Sequence, residues 1–398
     1  MKNKILHVFS TLLFSFNQWI QVILITRLIG LYEMGLFSYF LAIVAPLVLF
    51  SRFSFSDLVP TQRKYSYGYT IFARFRGILN YIFLLSMAGF ALVMDFRPYE
   101  MACLMLFSLF KFYETKEEFI YTENIAEGNI RFLAHSKIIK SVVTVLFFTL
   151  SVVVTHSLMA AIISLLAAQV LVYYLYDRRF ASYDHHMAKL FGRMHFRHIF
   201  WLGIGLSVVG LLSSLNANVP RYFIEHYHSV EDLGIYATIM YFAAIASNIV
   251  ITVNQSYIAE LALAAREGFR KFYGEFFKMM GIYLVAIVIG NAVLILYGND
   301  ILVFVYGEAF RGHQTDMVLL GVFISLIVLE KSFEMALNVF NLYNIQVMLQ
   351  AVNLIFTVAL SALLIVPYGI RGSFVVAVIT AAAIVLSQIS TLLLTRKY

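Results

Sequence analysis

The chain repeats one pattern, an apolar stretch of twenty-odd residues followed by a short polar break. Twelve such stretches stand at 5–29, 34–59, 77–96, 99–121, 134–155, 158–176, 198–219, 233–257, 276–297, 317–340, 345–366 and 372–394. That length matches a helix crossing a bilayer, which needs ~20 apolar residues, and not a barrel strand, which needs ~9–11. Hydrocarbon holds no water for free N–H and C=O groups, so the spans must satisfy their own backbones as helices. The sequence therefore predicts an all-α polytopic membrane protein. Composition agrees: 61% of residues are hydrophobic and 13% charged, with a mean hydropathy of +0.83; soluble domains lie near ~45–50% and ~25%. The stretches at 99–121 and 317–340 are the least apolar. No small-residue cleavage site precedes Arg27, so the first stretch reads as a retained helix. Cys103, the one cysteine, lies inside a stretch, which excludes a disulfide framework and a cysteine metal site.

Lys and Arg in the short breaks set the orientation. The breaks around 63–76, 131–140, 178–197 and 266–278 are basic, as are both ends of the chain. The opposite side carries Arg97, Arg221, Arg311 and Arg371. An even number of spans with both termini cytoplasmic follows. The net charge of +7 is then a topology signal with some attraction to anionic membrane lipids, and no nucleic-acid partner is needed to explain it. The longest break, 177–197, is a basic cytoplasmic linker containing His185, His186 and His195. Those histidines fit a wet juxtamembrane segment or a metal; without Cys or ligand spacing, no metal site is predicted. Phe269, Phe272 and Phe276 against Arg270, Lys271 and Glu275 predict an amphipathic helix lying on the inner leaflet.

A short word occurs twice, half a chain apart: Glu33-Met-Gly35-Leu-Phe-Ser38 and Asp232-Leu-Gly234-Ile-Tyr-Ala237. Each follows an Arg (Arg27, Arg221), and each Gly is expected to turn the chain at the outer surface. Fainter echoes join Ser108-Leu109 to Ser325-Leu326, Asn129-Ile130 to Asn344-Ile345, and Asp177-Arg-Arg179 to Thr395-Arg-Lys397. Each half then holds six spans. Six is even, so the halves share one orientation, as parallel repeats do. The expectation is two six-helix lobes, 1–176 and 198–398, joined by the linker 177–197, around a central cavity.

A charged side chain at mid-bilayer costs about 2.5–3.5 kcal/mol on insertion scales and so usually faces a cavity or a partner. The candidates are Arg27 near the outer end of the first span, Arg52 deeper in the second with Asp57 below it, Lys111 in the fourth and Lys331 in the tenth; Lys116 lies close to the inner surface. Lys111, Glu114, Glu118 and Tyr121 share one helical face, as do Lys331, Glu334, Asn338 and Asn341, with Glu330 adjoining. Each stripe fits a water-filled cleft or a self-neutralising Lys–Glu pair at i,i+3. Arg221 is expected at the outer interface beside Glu225. The amides Asn17, Gln18, Gln21, Asn216, Asn218, Asn248, Asn254 and Gln255 fit sugar hydroxyls or interhelical hydrogen bonds.

Thr26-Arg27-Leu-Ile-Gly30 followed by Glu33 to Ser38 resembles the start of polysaccharide exporters of the MOP superfamily, specifically O-antigen flippases of the Wzx type. Asp232 to Ala237 is similar to the start of their second lobe, Val305-Tyr-Gly307-Glu-Ala-Phe310 to an element before span ten, and Tyr368-Gly-Ile-Arg-Gly372 to a corner between the last two spans. The resemblance covers essentially the whole chain. It implies a multi-pass protein of the bacterial inner membrane, not an enzyme, that flips a polyprenyl-pyrophosphate-linked oligosaccharide by alternating access. Arg27, Arg52, Lys111 and Lys331 would meet the pyrophosphate, which suits Arg geometry. Asp57, Glu114, Glu330 and Glu334 would couple H⁺ or Na⁺. No cofactor is implied, and polysaccharide polymerase machinery is an expected partner. Two alternatives stand: a multidrug antiporter of the same superfamily, which would favour unpaired carboxylates, and a polytopic O-antigen polymerase or glycosyltransferase, for which no Asp-x-Asp or nucleophile motif stands in a loop.

Overall fold

The computed structural model describes residues 2–53, 55, 69–127, 129–181, 193–340 and 342–395. Among them the chain is helical, with no strand. The order is α1 (Lys2–Leu24), which ends in a π-helical turn (Ile25–Ile29), α2 (Leu31–Arg52), α3 (Tyr69–Val93), α4 (Pro98–Ala126), α5 (Ile130–Thr155), α6 (Leu158–Leu175), a 3₁₀ turn (Asp177–Phe180), α7 (Arg193–Tyr227), α8 (Val230–Glu267), α9 (Phe269–Tyr306), a second 3₁₀ turn (Glu308–Phe310), α10 (Gln314–Val339) and α11 (Tyr343–Thr395). α11 is two helices joined at a bend, where Gly369 takes φ 56° and ψ −132°.

Every expected span has its helix. Nine helices among the described residues are long and apolar enough by themselves to cross a membrane. α11 supplies two expected spans within one of these nine. The remaining spans are α4 and α10, whose charged stripes depress their hydropathy. The burial pattern suits lipid: Leu284, Val285, Val288, Ile289 and Leu296 of α9 are exposed, while Asn17, Glu117, Lys140, Gln169 and Asp177 are buried. Lipid tails are as apolar as Leu, so helices associate there through close packing and interhelical hydrogen bonds.

The described chain forms two compact units. The first comprises Met1–Ile29 and Phe40–Ser214, the second Gly30–Tyr39 and Leu215–Tyr398. The division falls within α2 and within α7. In the first unit an aromatic cluster of Phe53, Phe55, Phe72, Phe75 and Phe119 closes the end of α2; Phe53 sits in the left-handed region at φ 54° with its ring 5.0 Å from Phe75.

Three expectations change. Gly35 and Gly234 do not make turns; each is the fifth residue of its helix. A Cβ on Gly35 would overlap the Val230 carbonyl, and one on Gly234 would overlap the Leu31 carbonyl. The repeated words thus meet reciprocally, each glycine against the first residue of the other helix, and Gly30 at φ 138° precedes α2. The segment starting at Phe269 is no separate surface helix but the opening of the 38-residue α9. Gly274, Gly281, Gly290 and Gly298 do not interrupt it, and Phe272 and Phe276 are fully buried beside Phe340. Arg76 and Lys140, read as loop cations, are buried inside α3 and α5.

Candidate functional site: a charged cluster on α4

α4 carries Glu100, Glu114, Glu117, Glu118 and Glu123. Its Pro lies at the first helical position, where a missing N–H costs nothing. The helical repeat of ~3.6 residues per turn then places Glu114 and Glu118 on one stripe and Glu117 on the next, where Tyr121 joins it and not the Lys111 face expected from the sequence.

On the first stripe Lys111 Nζ stands 2.7 Å from Glu114 Oε2. The Lys111 ammonium also lies 5.0 Å from the Phe110 ring centre. Arg52 closes α2 here. Its Nε is 2.8 Å from Glu118 Oε2 with the N–H pointing off the line, an ion-pair contact and not an aligned hydrogen bond. Another Arg52 nitrogen is 3.9 Å from Glu114. Arg52 is about one-third exposed, at 30% of its side chain. Arg76 is the buried member, at 4%. It donates to the Arg52 carbonyl, to the Thr115 carbonyl at 3.2 Å and to Glu118 Oε2 at 3.2 Å. Arg76 therefore clamps the end of α2 to α4 and leaves Arg52 as the accessible guanidinium. Three cations face two carboxylates, an excess of one positive charge.

On the second stripe Glu117, fully buried, accepts from Lys140 Nζ at 2.8 Å, from Gln169 Nε2 and from the Tyr121 hydroxyl. Tyr121 lies 2.7 Å from Ser136 Oγ, which is 2.5 Å from Asp177 Oδ1. This stripe ties α4 to α5, α6 and the following 3₁₀ turn.

The second unit holds the counterpart pair. Lys331 Nζ is 2.8 Å from Glu334 and 3.4 Å from Glu330. The Lys–Glu geometry at i,i+3 is the same as on α4, but two carboxylates now outweigh one ammonium. Around it, Asn254 donates to the Lys331 carbonyl at 3.1 Å and accepts from Tyr283 at 2.7 Å, and Gln346 donates to Asn338 at 2.8 Å. Asn216 bonds Gln350 of α11 at 2.9 Å, and Gln21 bonds Asn17 at 3.4 Å. Asn216, Asn254 and Gln346 join neighbouring helices, whereas the Gln21–Asn17 bond lies within α1. An apolar cavity of ≈ 560 Å³ lies among α8, α9 and α10, lined by Val250, Tyr283, Ile287, Leu294 and Ile324.

The structure brings together Arg52, Lys111 and Glu114, and separately Lys331, Glu330 and Glu334. Arg27 is exposed in the π turn that ends α1, and Arg221 donates to Asn218 Oδ1 at 2.8 Å. Asp57 lies outside the described residues. Sequence reasoning missed Arg76, Lys140, Glu117, Gln169 and Asp177. Lys140 lies within the stretch 134–155, and Glu117 stands four residues before Tyr121 on α4; these were the available signals. The contacts of Arg76, Gln169 and Asp177 run between elements, and no periodicity along one helix reveals them. No group of three His, Cys, Asp or Glu suited to a metal occurs among the described residues.

No family model matches the chain. Over 373 residues it is 23% identical to the capsular polysaccharide biosynthesis protein CapF of Staphylococcus aureus, covering 92% of each chain. Its fold is similar to that of the lipid II flippase MurJ in an inward closed conformation, with a TM-score of 0.73 at 14% identity, covering 98% of this chain and 85% of that one. It is also similar to an inward-facing multidrug resistance MATE transporter of the MOP superfamily, with a TM-score of 0.66 at 13% identity and 97% and 93% coverage. The chain is a multi-pass membrane protein with the fold of the MOP-superfamily transporters. The resemblance carried by its short motifs is borne out at that level.

Proposed function

We propose that this protein is a flippase of the bacterial inner membrane that carries a polyprenyl-pyrophosphate-linked oligosaccharide, such as an O-antigen repeat unit, from the cytoplasmic to the periplasmic leaflet. It works by alternating access driven by an ion gradient, with both termini cytoplasmic. The observation that carries this reading is the cluster of Arg52, Arg76 and Lys111 against Glu114 and Glu118. Its net positive charge favours an anionic cargo over an organic cation. Arg52 is open and held by an off-axis ion pair, so a phosphate can take the place of a carboxylate with bidentate geometry. Lys111 is its nearest helper. Lys331, outweighed by two acids, is the weaker candidate for an anion, and Arg27 at the end of α1 is a separate outer contact. The ≈ 560 Å³ apolar cavity suits a hydrocarbon segment of the lipid and not its charged head. The names of CapF and MurJ point the same way.

The test is leaflet-resolved labelling of lipid-linked oligosaccharide. Cells lacking the protein should accumulate it on the inner leaflet, and Arg52→Glu should fail to clear it while inserting normally. Full clearance by that variant would overturn the cationic site. The second reading, an organic-cation antiporter, draws on the MATE likeness and on the acid-rich triad at Lys331. It would show as drug sensitivity in the deletion strain with no accumulated lipid.

A further inference from the structure

The second stripe of α4 contains a count that does not close. Three oxygen-to-oxygen contacts run in series from Glu117 to the Tyr121 hydroxyl, from there to Ser136 Oγ at 2.7 Å, and on to Asp177 Oδ1 at 2.5 Å. Each hydrogen bond holds one proton between its two oxygens. A tyrosine and a serine bring one each, and an ionised carboxylate brings none. With both carboxylates ionised, three contacts would share two protons, and two bare oxygens would face each other across one of them.

We infer that Glu117, Tyr121, Ser136 and Asp177 form a proton-binding chain that holds one exchangeable proton, resting on Asp177. The ends are unequal. Glu117 is matched by Lys140 at 2.8 Å and by the Gln169 amide. Asp177 has Ser136 alone among the described residues, and its buried Oδ2 has no partner. Gln169 Oε1 is likewise buried without a donor. Asp177 and Gln169 are both fully buried. An ionised Asp177 would be a lone buried charge, which burial strongly disfavours. Lys140 compensates only one of the two acids. Around them stand Glu118 on α4, Lys137 on α5, and Tyr173 and Tyr176 at the end of α6.

The chain can move its proton. Asp177 passes its proton to Ser136 Oγ, Ser136 passes its own to the Tyr121 oxygen, and Tyr121 passes its own to Glu117. One O–H bond breaks and one forms at each hydroxyl, and net charge is unchanged. Glu117 then becomes neutral and its ion pair with Lys140 is lost while Asp177 becomes the carboxylate, which makes this the higher-energy of the two states. Asp177 is fully buried and is followed directly by the exposed Arg178 and Arg179. A transporter driven by a proton gradient needs such a site. That use rests on the flippase reading; the proton count does not.

The test is infrared spectroscopy of the purified full chain in lipid nanodiscs, reading the carbonyl stretch of protonated carboxyl groups. Wild type should show a band that shifts in deuterated water and is lost in Asp177→Asn, whose amide still donates to Ser136 and preserves the helical circular dichroism. Loss in Glu117→Gln instead would overturn the assignment to Asp177. A spectrum unchanged in both variants would overturn the chain altogether, as would bleaching of the band by sodium chloride but not potassium chloride. In cells, Asp177→Asn should insert normally and accumulate inner-leaflet lipid-linked oligosaccharide. Normal export with the band lost would overturn coupling while leaving the flippase reading standing. No accumulation in the deletion strain would sink that reading and leave the spectroscopic result untouched.

Discussion

Gly35 of α2 and Gly234 of α8 stand back to back: a Cβ on Gly234 would lie 3.2 Å from the Gly35 amide nitrogen and would overlap the Leu31 carbonyl. Their words sit at matching places in the two halves of the sequence, and the helices meet where each lacks a side chain. Small residues at membrane helix contacts let backbones approach closely.

Gly234→Ala should therefore destabilise the protein by about 1–3 kcal/mol, the usual cost of overpacking. Gly281→Ala on α9 adds a methyl group where nothing lies within 4 Å and should be neutral or slightly stabilising. Thermal unfolding in detergent, followed by fluorescence-detected gel filtration, separates the two. Equal midpoints would mean the contact is slack.

Arg52 and Arg76 should divide function from stability. The Arg52–Glu118 pair is about one-third exposed, so its loss should cost less than ~1 kcal/mol of stability. Loss of one charge-assisted contact to an anion is worth about 1.5–3 kcal/mol, which lowers affinity roughly 10- to 100-fold. Arg52→Ala should then insert well and transport poorly, whereas Arg76→Ala should lower the amount of folded protein. Expression level and leaflet labelling, measured together, would reveal the reverse pattern if the assignment is wrong.

Among the described residues Lys140 and Glu117 form the most buried ion pair, with side chains 6% and 1% exposed. Removing one member of such a pair typically costs about 3–5 kcal/mol, because the other charge is left uncompensated. Lys140→Met should collapse the yield of folded protein. Lys140→Met with Glu117→Gln should recover much of it, and failure of that double variant to recover would show that Lys140 acts through something other than charge.

The corner of α11 gives a fourth expectation. His228 Nε2 donates to the Ile365 carbonyl at 2.7 Å, and its ring lies 3.4 Å from the position of a Cβ on Gly369. Gly369→Ala would force a side chain into a left-handed residue, at about 1–2 kcal/mol. A melting midpoint unchanged from wild type would mean that the bend relaxes freely.

Hydrophobic run length made nearly all the helices legible, since crossing hydrocarbon demands length before anything else. The Lys111–Glu114 and Lys331–Glu334 pairs were legible too, because both partners lie on one helix at a spacing that brings them together. Arg76–Glu118 and Lys140–Glu117 were not. Their partners lie on different helices, out of reach of any spacing along one helix, and a cation near a helix end reads as a loop charge until the helix is seen to start earlier, as α3 does at Tyr69. Gly35 and Gly234 misled for a related reason. Glycine serves turns and close contacts alike, and only the neighbouring backbone tells which.

Cys103 lies on α4, eight residues before Lys111, and is fully buried. The protein is thus a ready background for thiol chemistry. A cysteine introduced at an exposed position outside the helices, such as Asp95 or Arg311, would be the one accessible sulfhydryl in the chain, so spin labels or fluorophores can report on the motion of either unit with the native residue left in place.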